Sequence, residues 1–311
     1  MAKADLHVHS WHSDRSGSFR FLKSRDCYSN PVAVYETAKA RGMDYVCLTD
    51  HDSVVGCIEL RSRGFDDVIV GEEVSSVLPD TDVEVHFGVY GTSEALHREI
   101  QPLRTNALEV AACLQQHDVF FSLNHLLHFY RRDVPLDHYL ELLSRVPALE
   151  VRNGAMLLAH NALIERLRAS AGGWPRLAVT AGSDAHTLRR VGQTWTEAPG
   201  ETADAFLQSI RAGKGRPAGR HGNVRAVAAD TYGVIGRYMA SLVGIGPQHH
   251  TVTERTLCLG FCVLSLPFQL LPIVLLHRAK RLEARTAADA AGYLRRLLDG
   301  VTASPAHEQR T

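Results

Sequence analysis

The chain has 311 residues, and its 34 basic and 34 acidic side chains cancel to a formal charge of zero. That length suits one large α/β domain, or one domain with an extension, and the balanced charge excludes a global basic field for nucleic acid. The chain holds 17 histidines, natural ligands of divalent metals, and six cysteines without a C-x-x-C pair, which read as buried residues of a reducing compartment.

The N-terminus, M-A-K-A-D-L-H, has no apolar signal-peptide core, so a cytoplasmic location is expected. It runs straight into D-L-H-V-H. If residues 4–10 are extended, His7 and His9 project to one face, where two imidazoles can share a metal ion. An isolated H-x-H is more often a pair of exposed edge-strand histidines, so the pair needs partners further along. Residues 16–30 form a long loop that could act as a lid carrying Arg20, Lys23 and Arg25, or be plainly solvated. Asn30-Pro31 then opens a helix that Gly42 closes. Further strand patterns are D-Y-V-C-L-T, D-V-I-V-G, V-E-V-H-F-G-V, V-F-F-S-L-N, A-L-E-V-R-N and L-A-V-T-A-G. Helical patterns cover 93–117, 136–145, 157–171 and 202–212. Strands alternating with helices argue for a parallel α/β barrel or a doubly wound sheet, with functional residues at the C-terminal strand ends.

Residues 213–225, G-K-G-R-P-A-G-R-H-G-N-V-R, look like a loop or domain boundary. A domain is therefore expected over 1–220, with a mostly helical C-terminal extension over 221–311. Within the extension, 256–276 is 21 residues without a charge, followed by Arg278, Lys280, Arg281 and Arg285. It is long enough to cross or dock on a bilayer, but Pro267, Pro272 and Gln269 favour a broken helical hairpin.

Candidate ligands recur at the predicted strand ends: His7, His9 and Asp14; His51 in T-D-H-D; Glu72 and Glu73 in G-E-E-V-S; His86; His125 in L-N-H; Asp184 and His186 in G-S-D-A-H. Core packing does not explain such a series, and each group suits a borderline or hard divalent ion. In this order, D-L-H-V-H-S, S-D, T-D-H-D, G-E-E-V-S, H-F-G, N-H and G-S-D-A-H resemble the PHP (polymerase and histidinol phosphatase) family over about residues 1–200. The resemblance implies a distorted (β/α)7 TIM-like barrel, two or three divalent ions (Zn, Mn or Fe) and phosphoesterase activity, as a phosphatase or phosphodiesterase.

Matched residue by residue, the resemblance implies one ion at His7, His9, Glu73 and Asp184. A second would lie at Glu73, His86 and His125, with Glu73 bridging, and a third at Asp14, His51 and His186. Asp14 stands where trinuclear members use histidine, and Asn124-His125-Leu126 departs from the family's Ala-His-Pro. Catalytic duty is expected of Asp14, His51, His186 and Arg152, with His186 a candidate proton donor. Arg152 would bind phosphate or merely pair with a carboxylate; Arg15, Arg189 and Arg190 are further candidates. Asp50 and Asp52 would orient imidazoles or cap a helix, and His12 and His128 read as surface or pocket-wall residues. The substrate would be a small phosphorylated molecule, a nucleotide or a short oligonucleotide; no obligate protein partner is evident. Two rivals remain. An amidohydrolase would want a bridging lysine, but none occurs between Lys39 and Lys214. An idle or regulatory metal domain docked at a membrane through 256–276 would need only a four-ligand site.

Overall fold

Each strand pattern in the sequence yields a strand, β1 (Ala2–Asp5), β2 (Tyr45–Leu48), β3 (Val68–Val77), β4 (Glu84–Tyr90), β5 (Phe120–Asn124), β6 (Ala148–Asn153) and β7 (Ala178–Gly182), but the first, expected over 4–10, ends at Asp5 and leaves His7 and His9 just past it. The computed structural model describes residues 1–13, 22–126, 128, 134, 136–170, 177–246 and 250–265, with scattered residues between 273 and 292. Two further strands lie outside the sequence expectation, β8 (Thr194–Ala198) and β9 (Arg216–Gly219). β9 falls in the stretch expected to be a loop. It is the edge strand, where Pro217 removes no ladder bond the sheet needs.

The strands form one nine-stranded sheet in the order β7-β6-β5-β4-β3-β2-β1-β8-β9. It is mixed: β4 runs antiparallel to β3 and β5, and β8 antiparallel to β1. The sheet curls into a nearly closed barrel. Just past β1, His9 N donates to Ala185 O at 3.0 Å and Asp184 N donates to His7 O at 2.7 Å. A Cβ on Gly182 would lie 2.2 Å from His7 Cβ, so the close approach of β7 to the β1 segment requires glycine.

Helices cover the sheet. α1 (Pro31–Ala40) starts as expected, with Asn30 accepting from Val32 N at 2.8 Å, and α2 (Val55–Ser62) follows β2. The single helix expected over 93–117 is broken into α3 (Glu94–Ile100), a 3-10 turn containing Pro102, and α4 (Ala107–Gln116). Asn106 restarts the helix by accepting from Leu108 N at 3.0 Å. α5 (Leu136–Arg145), α6 (Leu158–Ser170) and α7 (Ala203–Ser209) complete the layer. Phe206 and Leu207 of α7 pack with Ala2, Tyr45, Phe120, Ala148 and Ala178, each the first residue of its strand. α7 therefore plugs one end of the barrel and leaves the opposite rim for the site.

The sheet ends at Gly219, and α8 (Val224–Leu242) and α9 (Val252–Leu264) follow. α9 stops at Leu264, so the uncharged 256–276 stretch is not one continuous helix there; residues 266–272 lie outside the described ones. Among the described residues no helix is long and apolar enough to cross a membrane. All six cysteines are free.

Candidate metal centre

Glu73 lies mid-strand in β3, 1% exposed, at the centre of a ring of imidazoles. Its Oε2 is 3.2 Å from His7 Nε2, 3.5 Å from His9 Nε2 and 3.4 Å from His51 Nδ1. Its Oε1 is 3.3 Å from His86 Nδ1 and 3.1 Å from His125 Nε2. Topology explains the convergence. His7 and His9 follow β1 and keep the predicted common face, with ring centroids 5.2 Å apart. His125 and Asp184 follow β5 and β7 in left-handed backbone conformations, φ 26° and 51°, which turn their side chains onto the rim. His86 breaks the C-terminal-end rule: β4 is antiparallel, so its beginning reaches the rim.

Asp184 Oδ1 is 3.6 Å from His7 Nε2 and 3.5 Å from His9 Nε2, completing the four groups expected around one ion. Burial opposes the charge of Glu73, yet the imidazoles facing it, His7 foremost, hold its carboxyl well below the usual range. Asp184 is likewise held down, against burial, by the neighbouring His7, His9 and His186 imidazoles. Burial, helped by neighbouring imidazoles, pushes His9 and His51 toward the neutral form that ligates metals.

A second group lies beside the first. His9, His51 and His186 surround Asp26, with Asp26 Oδ2 3.6 Å from both His51 Nε2 and His186 Nε2. The sequence reading gave this acid position to Asp14, which lies outside the described residues; Asp26 was read only as part of a lid or solvated loop. Ser13 Oγ donates to Asp26 Oδ2 at 3.0 Å. Burial again opposes ionisation, and the adjacent His186 imidazole overcomes it, holding Asp26 below the usual carboxylate range. The same contacts lift His186 to about 9 against its own burial.

Other polar side chains hold the cluster in place, and the sequence reading missed most of them. Glu150, buried in β6, has Oε1 2.9 Å from His7 Nδ1, and its Oε2 accepts from His125 N and Asn153 Nδ2, each at 2.9 Å. This contact keeps the His7 proton on Nδ1 and leaves Nε2 facing Glu73 and Asp184. An acid inside the apolar run A-L-E-V was the available signal. Asn124 Nδ2 donates to Glu73 Oε1 at 3.0 Å, and Glu84 pairs with His86 Nε2.

Glu72, the rejected alternative to Glu73, turns to His97 Nδ1 at 2.7 Å. Asp50 has hydrogen-bonding duty, but toward Ser10 N and Oγ rather than an imidazole, and burial pushes it up to about 7. Asp52 accepts from Ser75 N at 2.9 Å and pairs with Arg104. His12 pairs with Glu59 at 2.7 Å, and exposed His128 packs its ring 5.5 Å from that of His125. Arg152 follows a bulge in β6 and lies 3.4 Å from Glu165 of α6, so the structure gives it a carboxylate partner outside the cluster. Arg190 is buried and donates to Gly154 O and Ser183 O, while Arg189 is exposed. Arg15 lies outside the described residues.

The donor set fits a cation. His7 Nε2 and both ring nitrogens of His9 are buried without a hydrogen bond, though carboxylate oxygens stand nearby. Buried polar nitrogens of this kind are rare unless something else satisfies them. Mixed imidazole and carboxylate donors suit Zn, Mn or Fe.

Residues 176–214 match the family model described as PHP-associated. An uncharacterized protein of Methanocaldococcus jannaschii is 33% identical over 75 residues, 23% of this chain and 43% of that protein, so the match spans under half of the relative's length. Among solved structures, PsfC of Pseudomonas syringae superposes with a TM-score of 0.50 at 19% identity, over 76% of this chain and 99% of its own, a likeness of fold. A candidate metal-dependent phosphoesterase of Bifidobacterium adolescentis gives a TM-score of 0.45 at 16% identity, covering 67% of this chain and 94% of its own.

Proposed function

We propose that this chain is a PHP-family, metal-dependent hydrolase of phosphate esters, with its active centre at the barrel rim around Glu73. One observation carries the reading: a single buried carboxylate faces five imidazoles with both oxygens, and three of the surrounding ring nitrogens have no hydrogen bond. A structural site needs about four ligands and closes around one ion. This arrangement offers enough donors for several.

In the proposal His7, His9, Glu73 and Asp184 hold one ion, and Glu73, His86 and His125 hold a second. Asp26, His51 and His186, with His9, hold a third. Divalent ions bound there supply Lewis acidity toward a phosphoryl oxygen and a source of nucleophilic water near neutral pH. The chain's own work is positioning. Glu150 fixes the His7 tautomer, Asn124 and His125 fix Glu73, and the left-handed turns at His125 and Asp184 aim their donors inward. A small cleft bordered by His86, His125, Leu126 and Tyr139, with room for about one water, adjoins the cluster. The proposed substrates are phosphomonoesters or phosphodiesters, including nucleotides and short oligonucleotides.

The test is a panel of phosphomonoesters, cyclic nucleotides and single-stranded oligonucleotides, assayed with Mn, Fe or Zn and after chelation. Turnover of at least one class, lost on chelation and regained with metal, is expected. A metal-free preparation with full turnover, or no turnover of any class when loaded, would refute the proposal.

A further inference from the structure

The acid of the outer group, the one formed by Asp26, His51 and His186, sits on a loop rather than a strand. Asp26 lies at a bend between β1 and α1, and among the described residues no named helix or strand carries it. The described part of that loop is instead gripped by the C-terminal helices. Leu22 and Tyr28, on either side of Asp26, are buried in a small apolar cluster with Tyr238 and Leu242 of α8 and Cys258 of α9. Tyr238 Oη donates to Leu22 O at 3.0 Å, and His250 Nε2 meets the same carbonyl at 2.8 Å. Lys23 reaches Glu254 of α9 at 2.6 Å.

The same helix α8 touches the other half of the outer group. Asp230, buried, accepts from His186 N at 3.5 Å and from Thr187 Oγ1. One turn on, a Cβ at Gly233 would come 2.9 Å from Thr187 Cγ2, so the helix is seated closely on the turn that carries His186. The inner group leans on the barrel instead: Glu73 and His86 stand in strands, His125 directly follows β5, and His7, His9 and Asp184 lie within four residues of a strand end, although Cys27 Sγ of the Asp26 loop donates to His9 O at 3.2 Å.

We propose that the α8–α9 hairpin is a positioning device for the outer cation, holding the Asp26 loop and the His186 turn against each other so that this ion binds only when the hairpin is docked. Tyr238 and Asp230 are its positioning residues. The proposal rests on the metal-dependent reading above and assigns the C-terminal extension a role in it: loosening the hairpin empties the outer position and leaves the inner ions in place.

The test uses the full chain, loaded with Mn and desalted, with the metal-to-protein ratio read by mass spectrometry. Hydrogen exchange of residues 22–30 is followed in parallel. Tyr238→Ala is expected to release one ion per chain, as Asp26→Ala does, and to exchange this loop at least about tenfold faster while the barrel strands stay protected. Asp230→Ala, which leaves the apolar cluster intact, is expected to release the same ion and serves if Tyr238→Ala does not fold. Tyr238→Phe, which keeps the ring and loses only the bond to Leu22 O, should retain most of the outer ion. Folded Tyr238→Ala or Asp230→Ala protein that keeps the wild-type ion count would overturn the hairpin's role and leave the hydrolase reading standing. Wild-type protein that retains no ion would sink both.

Discussion

The inner and outer donor groups are built from the same residue types but on different supports. Around Glu73, the carboxylate itself and His86 stand in strands, His125 directly follows β5, and His7, His9 and Asp184 lie within four residues of a strand end, with second polar contacts such as Glu150 to His7. Around Asp26, the donors come from a loop and two turns, and the site is more open: the side chains of His186 and Asp26 are 26% and 14% exposed, against 1% for Glu73. A ligand held by packing and hydrogen bonds loses little freedom when a cation binds, whereas a loop-borne ligand must be ordered. Ion affinity should therefore be graded, tight at Glu73 and weaker at Asp26.

Substitutions in the two groups should separate them. The largest effect is expected from Glu73→Gln, which removes the charge both inner positions share: turnover should fall by roughly 10³-fold, the scale of losing a major electrostatic stabiliser, with inner ions lost in metal analysis. Glu150→Gln removes only the anchor of His7, and metal titration should show inner affinity weakened by about 10- to 100-fold. Gly182→Ala pushes a methyl into His7 and should lower stability by about 1–3 kcal/mol in a denaturant melt, without removing any donor. Asp26→Asn should weaken one ion and spare the others in the same titration. The smallest effect belongs to Arg152→Ala. Its partner is Glu165, a partly exposed pair worth under about 1 kcal/mol, so turnover should stay near wild type. A large loss there would return Arg152 to the phosphate site.

The inner group was legible because it is written in strand-end motifs. H-x-H alternation, G-E-E-V-S, L-N-H and the aspartate of G-S-D-A-H each place a donor by local geometry, and the apolar neighbours Ala148, Leu149 and Val151 single out Glu150 in β6. Asp26 was not legible. Its position depends on Leu22 and Tyr28 meeting α8 and α9 more than 200 residues later, as in the Tyr238 bond to Leu22 O at a separation of 216, and nothing local encodes that contact. The fold divided in the same way. The apolar strands announced themselves, whereas β9, R-P-A-G, has the composition of a turn and is a strand only because β8 pairs with it. The 93–117 helix failed at Pro102 and Asn106, where local chemistry outweighed the longer apolar period.

The central claim is that the imidazoles around Glu73 hold divalent cations. Its most direct test is anomalous diffraction from crystals of the Mn- or Zn-loaded protein. Peaks are predicted between Glu73 Oε2 and His7, His9 and Asp184, and between Glu73 Oε1 and His86 and His125. Loaded crystals with no anomalous peak within bonding distance of Glu73 would contradict it.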